Sequence, residues 1–146
     1  MSESLTQLLH DEHQKCDQAM ASAEEAALSG DLAQAQGPVE ACIHENIRHF
    51  KIEEDLLFPA FEEATGTQGG PTQMMRMEHD QMRGLLEQME SALKQGDLDR
   101  IPNITETLVI LMQQHNMKEE NILYPMMDQV LHEQRAGLIK ELKAFP

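Results

Sequence analysis

Two stretches of this chain, HFKIEEDLLFP at residues 49–59 and HNMKEENILYP at residues 115–125, each place a histidine four residues ahead of a glutamate. Residues four apart lie about 40° apart around a helix, so each pair presents an imidazole and a carboxylate on one face. Those are the donors that hold transition-metal ions. At an offset of 66 residues the two halves of the chain align without a gap. His13 meets His79, Glu12 meets Glu78, and Gly30-Asp31-Leu32 meets Gly96-Asp97-Leu98. His49 meets His115, Glu53 meets Glu119, Glu54 meets Glu120, and Pro59 meets Pro125. Each half therefore reads as helix–turn–helix, with a lone histidine on its first helix and His-x-x-x-Glu on its second.

If the paired helices run antiparallel, His13 comes level with His49 and Glu53, and His79 comes level with His115 and Glu119. The expected site is thus His13, His49, Glu53, His79, His115 and Glu119, converging on one layer of a helical interior. A single histidine on an apolar face is more often a satisfied core residue than a ligand. Four histidines and two glutamates together are another matter, because each unpaired buried charge costs several kcal/mol. No Lys or Arg stands at matched positions in both halves to neutralise them. Two metal ions would do so, with two histidines on each and the glutamates bridging; imidazole and carboxylate together suit iron, manganese or zinc.

The elements that must position these groups are helices. Leu, Met, Ala, Glu and Gln dominate, the aromatic content is 3%, and no segment sustains the alternation of a strand. The periodicity predicts an all-α protein, a single domain over residues 1–146. Its helices are expected at residues 4–29, 38–64, 72–95 and 100–130, with a short amphipathic tail helix at 132–144. Short connections between long helices give an antiparallel up-down-up-down four-helix bundle. Pro38 is read as a first-turn residue of the second helix, and Pro59 and Pro125 as sites of a kink.

Charge narrows the function classes. With 26 acidic against 11 basic residues the net charge is −15, a field that repels phosphate backbones and anionic membrane surfaces. Nucleic acid and membrane are not expected partners. The two cysteines, Cys16 and Cys42, form no C-x-x-C motif, consistent with a reduced, cytoplasmic setting. The first residues lack the basic and apolar regions of a secretory signal.

The set DEH at His13, HFKIEE at His49 and Glu53, MEH at His79, and HNMKEE at His115 and Glu119 resembles the hemerythrin-like, or HHE cation-binding, family. The resemblance spans about residues 8–130. It implies a four-helix bundle around a non-haem di-iron site, each iron held by two histidines and bridged by Glu53 and Glu119. Ferritin-like di-iron bundles use Glu-x-x-His instead. Oxygen-carrying members of the family have a further histidine one turn after the lone histidine of the third helix; this chain has Arg83 there. Four histidines leave open positions for water, O2, peroxide or NO. The pattern is more similar to members linked to iron sensing, nitrosative stress and repair of iron centres.

Function is therefore expected to be either a redox reaction with O2, peroxide or NO, or non-catalytic sensing, binding or storage of O2 or iron. Turnover, as in a peroxide- or NO-reducing oxidoreductase, would need an external electron donor, since no flavin or nicotinamide fingerprint is present. A monomer or weak homodimer is expected. Asp17 and Arg83, matched in the repeat, have two readings: a pair across the bundle, or two residues at the helix edge that reach solvent. His10 reads as a partly exposed neighbour of the site, Glu54 and Glu120 as solvated or supporting acids, and His44 and His132 as outside it. Cys16 reads as a small core residue, Tyr124 as a packing residue, and Met74, Met77, Met82 and Met89 as core.

Overall fold

A computed structural model describes residues 3–146. The chain is all-helical, with no strand among the described residues. The helices are α1 (Leu5–Leu28), α2 (Leu32–Ile52), α3 (Phe58–Thr65), α4 (Pro71–Lys94), α5 (Ile101–Lys118), α6 (Tyr124–Val130) and α7 (Arg135–Lys143). Five-residue π-helical turns, Glu53–Leu57 and Glu119–Leu123, make residues 32–65 and 101–130 two continuous helical rods. α1 packs against α2 and α5, and α4 packs against the same two helices. No helix among the described residues is long and apolar enough to cross a membrane.

Local chemistry accounts for the helix ends. Ser4 caps α1 by accepting from the Gln7 N–H, and Asp31 caps α2 by accepting from the Ala33 N–H. The Leu5 and Thr6 N–H groups donate to Asp128 of α6 at 2.7 and 3.0 Å, so a carboxylate closes the electropositive start of α1. Gly30 and Gly96, which open the repeated Gly-Asp-Leu turns, have φ of 75° and 70°. A side chain in that left-handed region would be strained.

One correction and one refinement to the sequence reading concern proline. α2 begins at Leu32, six residues before Pro38, which sits inside the helix. Asp31 supplies the cap that starts it, and the carbonyl deprived by Pro38 belongs to exposed Gln34, where water can take it. Pro59 and Pro125 each follow a π turn, one of the ways a helix accommodates a proline. The Phe58 N–H donates to the Glu53 carbonyl and the Tyr124 N–H to the Glu119 carbonyl, five residues back in each case. The prolines that follow have no N–H to offer Asp55 and Asn121, both exposed. The turn widens by one residue, and Glu53 and Glu119 stand at its start.

The core is divided. One apolar cluster gathers Met20, Ala23, Val39, Cys42, Phe50, Met82, Leu86, Met89, Leu108 and Met112. The other gathers Leu5, Leu9, Ile52, Leu57, Phe58, Phe61, Met75, Leu123, Tyr124 and Met127, with Leu138, Ile139 and Leu142 of α7 closing it. Met82 and Met89 are buried as expected, but Met74 and Met77 are exposed: the period that buries Met75, His79 and Met82 turns Met74 and Met77 outward. Along α1 and α4 the second cluster precedes the first, and along the rods 32–65 and 101–130 the order reverses. The histidines of the repeat lie at the boundary.

Candidate metal centre

His13, His49, Glu53, His79, His115 and Glu119 are all at most 2% exposed, and the helices bring them together. His13 Nε2 lies 3.1 Å from His49 Nε2 and 3.1 Å from Glu119 Oε1. His79 Nε2 lies 3.2 Å from His115 Nε2 and 3.0 Å from Glu53 Oε1. Each carboxylate also faces the histidine of its own helical segment, at 3.5 Å for His49–Glu53 and 3.2 Å for His115–Glu119. Two groupings result: Glu53, His79, His115 and Glu119, and then His13, His49 and Glu119, in each of which the donor atoms lie within 4.8 Å of one another.

This donor set fits metal ions. Two nitrogens bound about 2.1 Å from one ion at right angles lie about 3.0 Å apart, close to the 3.1 and 3.2 Å found in the two histidine pairs. Glu119 Oε2 is fully buried with no hydrogen-bond partner. Glu53 Oε1, equally buried, has only the imidazoles of His79 and His49 nearby, at 3.0 and 3.5 Å and without a well-formed hydrogen bond. Buried carboxylate oxygens left without a donor are costly unless a cation takes them.

Without an ion, protons take the place of positive charge. Burial, reinforced by the charge of Glu119, pushes the Glu53 carboxyl up to about 7. Burial would raise Glu119 as well, but His115 and His13 beside it hold its carboxyl well below the usual range. Burial opposes charge on His115, yet Glu119 and Glu53 lift it to about 9. His13 and His79 are raised against the same opposition, by Glu119 and Glu53 respectively in the first place. His49 goes the other way: burial and the charge of His13 hold it well below the ordinary imidazole value.

A ring of outer carboxylates orients three of the four imidazoles. Glu120 Oε2 accepts from His13 Nδ1 at 2.7 Å, Glu54 Oε2 from His79 Nδ1 at 2.7 Å, and Glu78 Oε1 from His115 Nδ1 at 2.8 Å. Each bond holds the ring proton outward and leaves Nε2 free to bind inward. Glu54 and Glu120 thus have defined partners; the signal in the sequence was their position directly after the paired Glu53 and Glu119. Glu78 carried a weaker signal, its match to Glu12 in the repeat. His10 stands outside the cluster, with Nδ1 on Glu120 Oε1.

Tyr124 does more than the packing expected of it. Its ring packs in the core as expected, but its fully buried hydroxyl lies 2.7 Å from Glu53 Oε2, 2.8 Å from Glu119 Oε1 and 3.0 Å from His13 Nε2. Burial and the two carboxylates raise the phenol well above its usual value, so it stays a proton donor. Its repeat partner Phe58 has no hydroxyl and instead stacks on His79 at 5.8 Å, beside Phe50 at 4.3 Å. A phenol at the wall of a helical bundle and one aimed into it are alike in sequence.

Of the two readings of Asp17 and Arg83, the pair does not form. Arg83 Nη2 donates to Glu54 Oε1 at 2.6 Å and Nη1 to Asp80 at 3.1 Å, while its guanidinium rests over Phe50. Glu54 is nearer and half-buried, whereas Asp17 is exposed. Arg83 therefore supports the carboxylate that orients His79, and with His79 it draws Glu54 down to about 2 against the effect of burial. Cys16 and Cys42 are buried free thiols, both pushed up by burial. His44 and His132 are exposed.

Residues 4–127 match the hemerythrin HHE cation binding domain. The chain belongs to this family. The match spans all six clustered residues and supports cation binding by this HHE domain at its buried His/Glu cluster. No curated protein and no solved structure matches the chain.

Proposed function

We propose that this HHE domain is a non-haem di-iron protein whose ions keep open positions and react with, or respond to, O2, peroxide or NO. The observation that carries the reading is the pairing of the imidazoles, His13 with His49 and His79 with His115, each pair grouped with a buried carboxylate. In this reading His13 and His49 would hold one ion and His79 and His115 the other, with Glu53 and Glu119 as the shared carboxylates. So few protein donors would leave room for a small ligand. The reversal of cluster order from helix to helix supports an antiparallel up-down-up-down bundle as the frame, within one domain.

Bound iron would supply the redox chemistry with small oxidants or NO. The chain does the rest. Glu120, Glu54 and Glu78 hold the outward protons of His13, His79 and His115. Tyr124 holds a proton at its hydroxyl oxygen against Glu53 and Glu119. Phe50, Phe58 and the flanking apolar clusters exclude bulk water. Any turnover draws electrons from an external donor.

The test is an absorption spectrum of iron-loaded protein, reduced and then exposed separately to O2, H2O2 and NO. Binding of two irons per chain with a spectral response to at least one of these is expected. Failure to bind iron, or a spectrum unmoved by all three, refutes the proposal. A response that reverses when the ligand is removed would assign the domain to sensing or carriage, and loss of the added oxidant over many equivalents would assign it to catalysis.

A further inference from the structure

The two halves repeat each other closely, and one place breaks the pattern. Glu78 accepts from His115 Nδ1 at 2.8 Å, and its other oxygen takes Lys118 Nζ. The same offset in the first half joins Glu12 to His49, yet Glu12 does not reach it. Arg48 Nη1 donates to Glu12 Oε1 at 3.0 Å, and Lys15 stands 3.4 Å from Oε2. Arg48 is itself tied down, since its Nη2 donates to the Phe145 carbonyl at 3.0 Å. His49 Nδ1 is left buried with no hydrogen-bond partner. The repeat partner of Arg48 is Gln114, uncharged, and the partner of Lys118 is Ile52. The difference is thus written in the residues of this chain.

A carboxylate on the outer nitrogen of a metal-binding imidazole fixes its tautomer and raises its basicity, and losing it typically weakens metal binding about 10- to 100-fold. His79 and His115 both have that support; of His13 and His49, only His13 does. The hydroxyl of Tyr124 also lies on the His13 side, donating to carboxylate oxygens that an ion there would use. Building on the proposed di-iron reading, we infer that the two metal positions are inequivalent. Iron(II) fills the His79–His115 position first and the His13–His49 position second, more weakly. Arg48 is the positioning residue that sets this order by holding Glu12 away from His49. The weaker position is the one that exchanges its ion.

Anaerobic calorimetric titration of the metal-free protein with iron(II) tests this, with thermal melts to establish that each variant is folded. Wild type is expected to bind in two steps at least about 10-fold apart. Glu78→Gln weakens the tighter step about 10- to 100-fold, whereas Glu12→Gln leaves both steps nearly unchanged. Arg48→Gln, which copies Gln114, frees Glu12 for His49 and tightens the second step about 10-fold. That gain disappears in the Glu12→Gln/Arg48→Gln double variant, which a merely structural role for Arg48 would not produce. Two equal steps in wild type, or equal losses in Glu12→Gln and Glu78→Gln, overturn the inference while leaving the di-iron reading intact. An absence of iron(II) binding overturns both. Should Arg48→Gln fail to fold, the contrast between the two glutamate variants decides by itself.

Discussion

Replacing Tyr124 by phenylalanine removes one oxygen from the most highly charged place in the core. In the metal-free protein that oxygen stands 2.7 and 2.8 Å from carboxylate oxygens of Glu53 and Glu119. Its loss leaves Glu53 Oε2 without a donor and Glu119 Oε1 with only the imidazoles of His13 and His115 beside it, at a cost of about 2 kcal/mol. For a domain of this size that lowers the melting temperature by about 4–8 °C. With ions bound, the carboxylate charge is already compensated, and the same substitution should cost less than about 1 kcal/mol. A thermodynamic cycle then requires the folded variant to bind metal more tightly, by about 10-fold for a difference of 1.4 kcal/mol. Thermal melts of metal-free and iron(II)-loaded Tyr124→Phe, with calorimetric affinities, measure every leg. Equal destabilisation of both forms would show that the hydroxyl does not compete with metal. Weaker binding in the variant would refute the reasoning outright, because it would make the phenol oxygen a ligand.

Other outcomes follow from the same geometry. His13, His79 and His115 hold protons more tightly folded than unfolded, His115 up to about 9 from an unfolded value of 6.5. Their stabilisation is complete below the unfolded value and is lost as pH rises through the folded one, so the metal-free protein should melt at progressively lower temperature between pH 6.5 and about 9. Melting temperatures that stay level or rise across that window would contradict the assignment. Iron(II) at about 1,000 times its dissociation constant should stabilise the fold by about 4 kcal/mol, and a chelator should reverse the shift; an unchanged melt on chelation counts against a buried ion. Phe50→Ala opens a cavity beside His79, 4.3 Å from the ring, and should cost about 3–5 kcal/mol by denaturant unfolding. Gly96→Ala forces a side chain to a φ of 70° and should cost about 1–2 kcal/mol without changing iron affinity, which separates fold from site.

The sequence by itself determined the helical class and the candidate donors, because both are matters of period. A spacing of four brings His49 to Glu53 and His115 to Glu119 on any helix, and the offset of 66 residues carries the register of one half into the other. Punctuation was less legible. Pro38 is as compatible with a first turn as with an exposed helix interior, and only the cap at Asp31 decides where α2 starts. Met74 and Met77 look like core until the face of α4 is fixed by what packs on it. Tertiary structure alone decided the outer partners. Glu120 reaches His13 and Glu54 reaches His79 across the two halves, and Arg83 turns to Glu54, not Asp17. It also decided that Tyr124 points into the site and that Arg48 takes Glu12 from His49. Those contacts join residues 25 to 107 positions apart. Helical period says which side of its own rod a residue occupies; which of several nearby partners it meets depends on how the rods are rotated and staggered when they pack.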